Sequence, residues 1–211
     1  MERRHEQSAD TRICHDSVVS PTPAAAILAG GAARRFGGRD KSRLLVSGRA
    51  IIVRQIDVLA SIARPVFVVG GDPARFADLG VPVHADRIPG AGAIGGIYTA
   101  LVISPSERVI VVACDLPFLT APLLQRLVDL AATADGAWIR GPKGVEPLVA
   151  VYQRAAAPAV RQAIEAGRFK AADLGQVLAM AELPIEAVAA FGPPERLLAN
   201  VNTPDEYARI Q

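Results

Sequence analysis

The chain is poor in cysteine, histidine and aromatic rings: two Cys, three His and 5% Phe, Trp and Tyr in 211 residues. Cys14 and Cys114 stand far apart, with no short spacing and no matched histidines, which excludes a zinc ligand set and a disulfide framework. A reduced, cytoplasmic compartment is expected. His5 and His15 fall near the start and His84 stands alone, so no histidine relay can be built. Cationic excess is also lacking. A net charge of +2 implies neither a nucleic-acid surface nor a basic membrane patch. Long hydrophobic runs are absent too. The run Ala24 to Ala29 is cut by Gly30-Gly31, too short to span a bilayer. Glu6, Asp10 and Asp16 ahead of it spoil a secretory signal.

What remains is the composition of a globular chain, 51% hydrophobic and 21% charged. Its length suits one domain with a real core. Residues 1–22 read as a disordered polar tail and residues 23–211 as the domain. Short apolar runs alternate with amphipathic stretches. Ala25 to Ala29, Val66 to Val69, Val109 to Ala113 and Leu148 to Tyr152 read as strands, and Val81-Pro82-Val83 as an edge strand. Ile51 to Ala63 has helical spacing, with Ile51, Ile52, Gln55, Ile56, Leu59 and Ala60 on one face. Pro122 to Ala132 and Ala155 to Ala166 read as further helices, the second stopped by Gly167. A last helix starts at Thr203 as N-cap, with Pro204 at N1 and Glu206 at N3. Uniformly apolar strands alternating with helices predict a single-domain, three-layer α/β/α fold with a mostly parallel, Rossmann-like sheet.

Chemistry concentrates after the first strand, in Leu28-Ala29-Gly30-Gly31-Ala32-Ala33-Arg34-Arg35-Phe36-Gly37-Gly38-Arg39-Asp40-Lys41. Ligands of open α/β sheets sit beyond the carboxyl ends of the strands, where this loop lies. Paired glycines let backbone N–H groups close around a triphosphate, and Arg34, Arg35 and Lys41 can neutralise its oxygens. The ordinary alternative is a solvated basic loop, which the placement disfavours. It is not a P-loop, because Asp40 rather than glycine precedes Lys41-Ser42.

The same stretch resembles the L-A-G-G-x-x-R-R-x-G-G-x-D-K signature of molybdenum cofactor guanylyltransferases of the MobA type. Ala113-Cys114-Asp115-Leu116-Pro117-Phe118 resembles that family's metal-binding C-D-x-P turn, and Asn200-Val201-Asn202-Thr203-Pro204 its N-V-N-T-P motif. The likeness keeps its order from about Ala24 to Gln211. It implies transfer of GMP from GTP to the phosphate of molybdopterin, with Mg²⁺ as cofactor and release of pyrophosphate. The backbone of Leu28, Ala29, Gly30 and Gly31 would hold the nucleotide, with Lys41 and Arg35 on its phosphates. A monomer is expected, with other cofactor-biosynthesis proteins or apo-molybdoenzymes as possible partners.

Asp115 directly follows a strand, and one well-placed Asp suffices for magnesium, which takes its other ligands from phosphates and water. The alternative is an Asp capping the next helix. Cys114 reads as half-buried packing beside it. Asp86 falls where the family carries an Asp that contacts guanine, since a carboxylate can accept from N1–H and the exocyclic amine together. Its alternative is to stabilise its own turn. Gly90-Ala91-Gly92-Ala93-Ile94-Gly95 meets G-x-G-x-x-G literally. Asp86 to Pro89 separate it from the nearest strand, so NAD binding is set aside, and Gly92, Gly95 and Gly96 read as a loop passing close to the ribose or pterin. Gly70 stands where the family usually has an Asn on the nucleotide, which loosens base selectivity. On the acceptor side the resemblance points to Arg34, Asn200 and Asn202, while Arg168 and Lys170 read as solvated cations. The competing functions are a CTP-using sister enzyme on the same acceptor, a sugar-phosphate nucleotidyltransferase, and a noncatalytic cofactor-delivery protein.

Overall fold

An apolar strand with no polar alternation must be covered on both faces, and β1 (Ala24–Leu28) is buried along its whole length. Ala25 and Ile27 enter one core, Ala24, Ala26 and Leu28 the other. The computed structural model describes residues 22–30, 41–70, 72–201 and 203–209. In chain order β1 is followed by β2 (Leu45–Val46), β3 (Arg49–Ala50), α1 (Ile51–Ala60), β4 (Val66–Val69), β5 (Val83–His84), α2 (Ala93–Ile103), β6 (Arg108–Ala113), α3 (Ala121–Leu130), β7 (Gly136–Gly141), β8 (Gly144–Gln153), α4 (Ala157–Glu165), β9 (Met180–Pro184), α5 (Ile185–Val188), α6 (Pro194–Leu197) and α7 (Pro204–Arg209).

Seven strands form one sheet in the order β5-β4-β1-β6-β8-β7-β9. Every neighbouring pair is parallel except the two that β8 makes. Ile52 and Leu59 of α1 and Leu123, Leu124 and Leu127 of α3 fill one face. Ile94, Ile97 and Leu101 of α2 and Val160 and Ile164 of α4 fill the other. This is the three-layer, mostly parallel fold that the apolar runs predict. No described helix is long and apolar enough to cross a membrane.

Most expected elements are present within a few residues. The edge strand is Val83–His84, with the Pro82 carbonyl accepting from Val68 N–H at 2.9 Å. Gly167 follows α4 at φ 74° and donates to the Ile164 carbonyl. Thr203 and Glu206 form a reciprocal capping box, with Glu206 N–H donating to Thr203 Oγ1 at 3.2 Å and Thr203 N–H to Glu206 Oε2 at 2.9 Å.

One reading is corrected. Gly95 and Gly96 belong to helix α2, not to a loop passing over a ligand. A Cβ on Gly96 would stand 3.0 Å from Leu28 Cδ1, and one on Gly95 2.9 Å from Ala91 Cβ, so both serve close packing of α2. The sequence pattern does not mark this helix, because Ile94, Ile97, Ala100 and Leu101 are buried with little polar face to set a period. Strands β7 and β9 and the β2–β3 hairpin likewise have no counterpart among the expected elements.

Candidate active site

The carboxyl ends of β1, β4 and β5 build the first corner. Ala29 N–H donates to the Val69 carbonyl and Gly70 N–H to the His84 carbonyl, both at 2.9 Å, which fixes the strand ends relative to one another. Gly70 sits at φ 88°, where a side chain is strained, and a Cβ there would stand 2.8 Å from both N and Cα of Gly30. The two glycines are therefore in backbone contact. Asp86 Oδ2 lies against both of them, 3.4 Å from where either Cβ would be.

The other Asp86 oxygen, Oδ1, is enclosed and has no hydrogen-bond partner among the described residues. Burial pushes its carboxyl above the ordinary range. The turn after Asp86 is held by a different group: Arg87 N–H donates to Thr99 Oγ1 at 2.9 Å, and that hydroxyl donates to the Gly95 carbonyl. A recessed acceptor that does not hold its own turn is available to a donor-bearing ligand.

The second corner lies at the end of β6. Cys114 N–H donates to the Leu28 carbonyl at 3.2 Å, and Val201 N–H to the Asp115 carbonyl at 3.0 Å. The N-cap of α3 is Thr120, so Asp115 does not cap the helix that follows. Burial lifts the Asp115 carboxyl above its ordinary range. The Lys41 ammonium pulls it down, and the Glu206 carboxylate adds to the rise. Residues far apart in the chain thus share one electrostatic neighbourhood. A cleft of about 420 Å³ opens here, lined among others by Asp115, Lys143, Glu146, Leu148 and Asn200. Burial also lifts the Glu146 carboxyl, with Lys143 opposing.

Among the described residues no group of three or more His, Cys, Asp or Glu is gathered. A recessed carboxylate with a second acid nearby and no histidine fits a hard cation that draws its remaining ligands from phosphates and water. The donor set does not fit zinc.

The sequence profile of the MobA-like NTP transferase domain matches residues 25–199. The chain belongs to that family. Similar relatives include the probable molybdenum cofactor guanylyltransferase of Pelotomaculum thermopropionicum, 32% identical, with 88% of this chain and 90% of that one aligned. The molybdenum cofactor guanylyltransferase of Rhodopseudomonas palustris (strain HaA2) is 34% identical, with 90% and 92% aligned. Among solved structures, the molybdopterin-guanine dinucleotide biosynthesis protein A of Archaeoglobus fulgidus superposes with a TM-score of 0.76. It is 26% identical and covers 89% of this chain and 96% of its own.

Within the family's fold, the residues singled out by sequence fall into two groups. Leu28, Ala29, Gly30, Gly70 and Asp86 meet at the first corner, while Lys41 and Asp115 share the second with Asn200. The Leu28 carbonyl and the Ala29 N–H are tied into the sheet, so they fix the corner's frame. Gly31, Arg34, Arg35 and Asn202 lie outside the described residues. Cys114 is half-buried and packs on the core beside Asp115. Arg168 and Lys170 are not among the residues lining the cleft. Sequence reasoning gave no role to Lys143, Thr99 or Gln55. For Gln55 a signal existed, an amide inside an otherwise apolar helical stripe.

Proposed function

We propose that this chain transfers GMP from GTP to the terminal phosphate of molybdopterin, forming the guanine dinucleotide and releasing pyrophosphate. The observation that carries the reading is the pairing of two recessed carboxylates on one sheet edge. Asp86 stands ready to accept hydrogen bonds, and Asp115 lies beside Lys41 at the mouth of a cleft. The relatives named for guanylyl transfer supply the substrates.

Asp86 accepts from guanine N1–H and the exocyclic amine, an arrangement that cytosine does not offer. Gly70 lies in backbone contact with Gly30 and so meets a nucleotide through its backbone, without a side-chain amide. The Gly30-Gly31 backbone follows the triphosphate, with Lys41 and Arg35 on its oxygens. Asp115 holds Mg²⁺, which when bound offsets charge on the phosphates. Asn200, Asn202 and Arg34 receive the acceptor, whose phosphate enters through the cleft. That phosphate oxygen attacks the α-phosphorus of GTP in line, and the bond to the β-phosphate oxygen breaks. The nucleophile is already anionic near neutral pH, so the protein need only position it and neutralise charge. A cysteine pattern with no disulfide framework in its spacing suits a reducing compartment, the cytoplasm.

The test is incubation of the purified chain with molybdopterin, Mg²⁺ and either GTP or CTP, followed by mass analysis and pyrophosphate release. The guanine dinucleotide should form with GTP. Product with CTP alone, or none with either, would overturn the reading.

A further inference from the structure

Helix α1 turns Ile51, Ile52, Gln55 and Leu59 to the core. Gln55 is only 3% exposed. A buried amide in an apolar stripe is unfavourable unless its polar groups are paired. Here the pairing is directed at one place. Gln55 Nε2 donates to the Ala113 carbonyl at 2.7 Å and to the Leu116 carbonyl at 3.0 Å, which bracket Asp115 in the chain. Both partners can only accept, so only a donor side chain of this length satisfies them. Oε1 is enclosed without a hydrogen-bond partner among the described residues, so these two bonds are what the amide is used for. The preceding residue adds to the clamp, with Arg54 Nε donating to the Pro117 carbonyl at 3.3 Å.

The turn is tied on other sides by Cys114 N–H to Leu28 and by Val201 N–H to the Asp115 carbonyl. Those bonds join it to β1 and to the C-terminal segment. Gln55 is the tie that spans Asp115 from the α1 side and closes the frame around it. We infer that Gln55 is a positioning residue: it holds the Ala113–Leu116 turn in the shape from which Asp115 can serve metal and nucleotide. The inference rests on the role of Asp115 given under Proposed function. It predicts a defect in metal-dependent binding rather than in the fold alone.

The test measures GTP affinity by calorimetry with and without Mg²⁺, for the parent, Gln55→Met, Gln55→Asn and Asp115→Asn. Gln55→Met keeps length and removes the donor; Gln55→Asn keeps a donor but draws it back by one methylene. Melting temperature reports folding separately. In the parent Mg²⁺ should strengthen GTP binding. In Gln55→Met that gain should shrink by about tenfold (1.4 kcal/mol at 1.36 kcal/mol per tenfold), with metal-free affinity unchanged. Gln55→Asn should fall between parent and Met, and it decides by the same criterion if the Met variant does not fold. Folded Gln55 variants with the parental metal gain, beside an Asp115→Asn protein that has lost it, would overturn the inference and leave the site standing. A parental gain in Asp115→Asn, or no gain in the parent, would remove the Asp115 assignment and the inference with it.

Discussion

The two corners of the site are built from different materials. The first is backbone: glycines 30 and 70 in contact, strand ends locked by ladder hydrogen bonds, and one carboxylate set against them. The second is made of side chains brought from distant segments: Lys41, Asp115, Lys143, Glu146, Asn200 and Glu206. A backbone corner is rigid and tolerates little change, which suits reading a flat base. A corner of converging charges suits an incoming phosphate or cation, because burial disfavours the charged forms of Asp115 and Glu146 and a nearby cation favours them. On the proposed function, selection and charge handling fall to separate parts of one sheet edge.

The largest expected effect breaks the second corner. Asp115→Asn keeps shape and removes a charge, and turnover should fall about 10² or more, since metal coordination supplies several kcal/mol. Stability should move the other way. Burial holds the Asp115 carboxyl above the ordinary 3.8, so the folded state favours its protonated form. That contribution is present below the ordinary value and is lost as pH rises through the raised one. At neutral pH without metal the Asn variant should therefore melt higher than the parent, with the gap closing on acidification. An Asn variant that melts lower at neutral pH would contradict the electrostatic account.

At the first corner, Asp86→Asn should change base choice more than stability. A good bidentate pair is worth about 1–3 kcal/mol of discrimination, so the preference for GTP over ITP, which lacks the exocyclic amine, should collapse by about that amount. Equal ratios in parent and variant would show that Asp86 does not read the base. Gly70→Ala at φ 88° adds strain and a 2.8 Å approach to the Gly30 backbone. It should cost about 1–3 kcal/mol, read as a drop in melting temperature and weaker GTP binding. An unchanged melting temperature would mean that the glycine contact does not hold the corner. Smallest of all, removing residues 1–20, which lie outside the described residues, should leave stability within about 0.5 kcal/mol and activity intact, because a polar segment buries little apolar surface. A large loss would show that it docks.

How much of this is legible in the sequence follows the same division. Strands β1, β4 and β6 are readable because uniformly apolar β-formers admit few alternatives, and Asp115 is readable because it follows such a strand. The capping box of α7 is local chemistry and is read directly. Helix α2 hides because its buried side chains leave little polar face to set a period, and β7 because only Ala137, Trp138 and Ile139 are apolar between its flanking residues. The Gly30–Gly70 contact and the Gln55 clamp join residues roughly 40–60 positions apart, which no window along the chain contains. In the sequence Gln55 shows only as an amide inside an apolar stripe, with nothing to say which groups it meets.

On the proposed function the backbone corner selects guanine through Asp86. The most direct test is calorimetric titration of the parent protein with GTP and with CTP under identical Mg²⁺. GTP should bind tighter by about 1–3 kcal/mol, the worth of one bidentate base pairing, with most of that difference absent in Asp86→Asn. Equal affinities for the two nucleotides, or a preference for CTP, would contradict it.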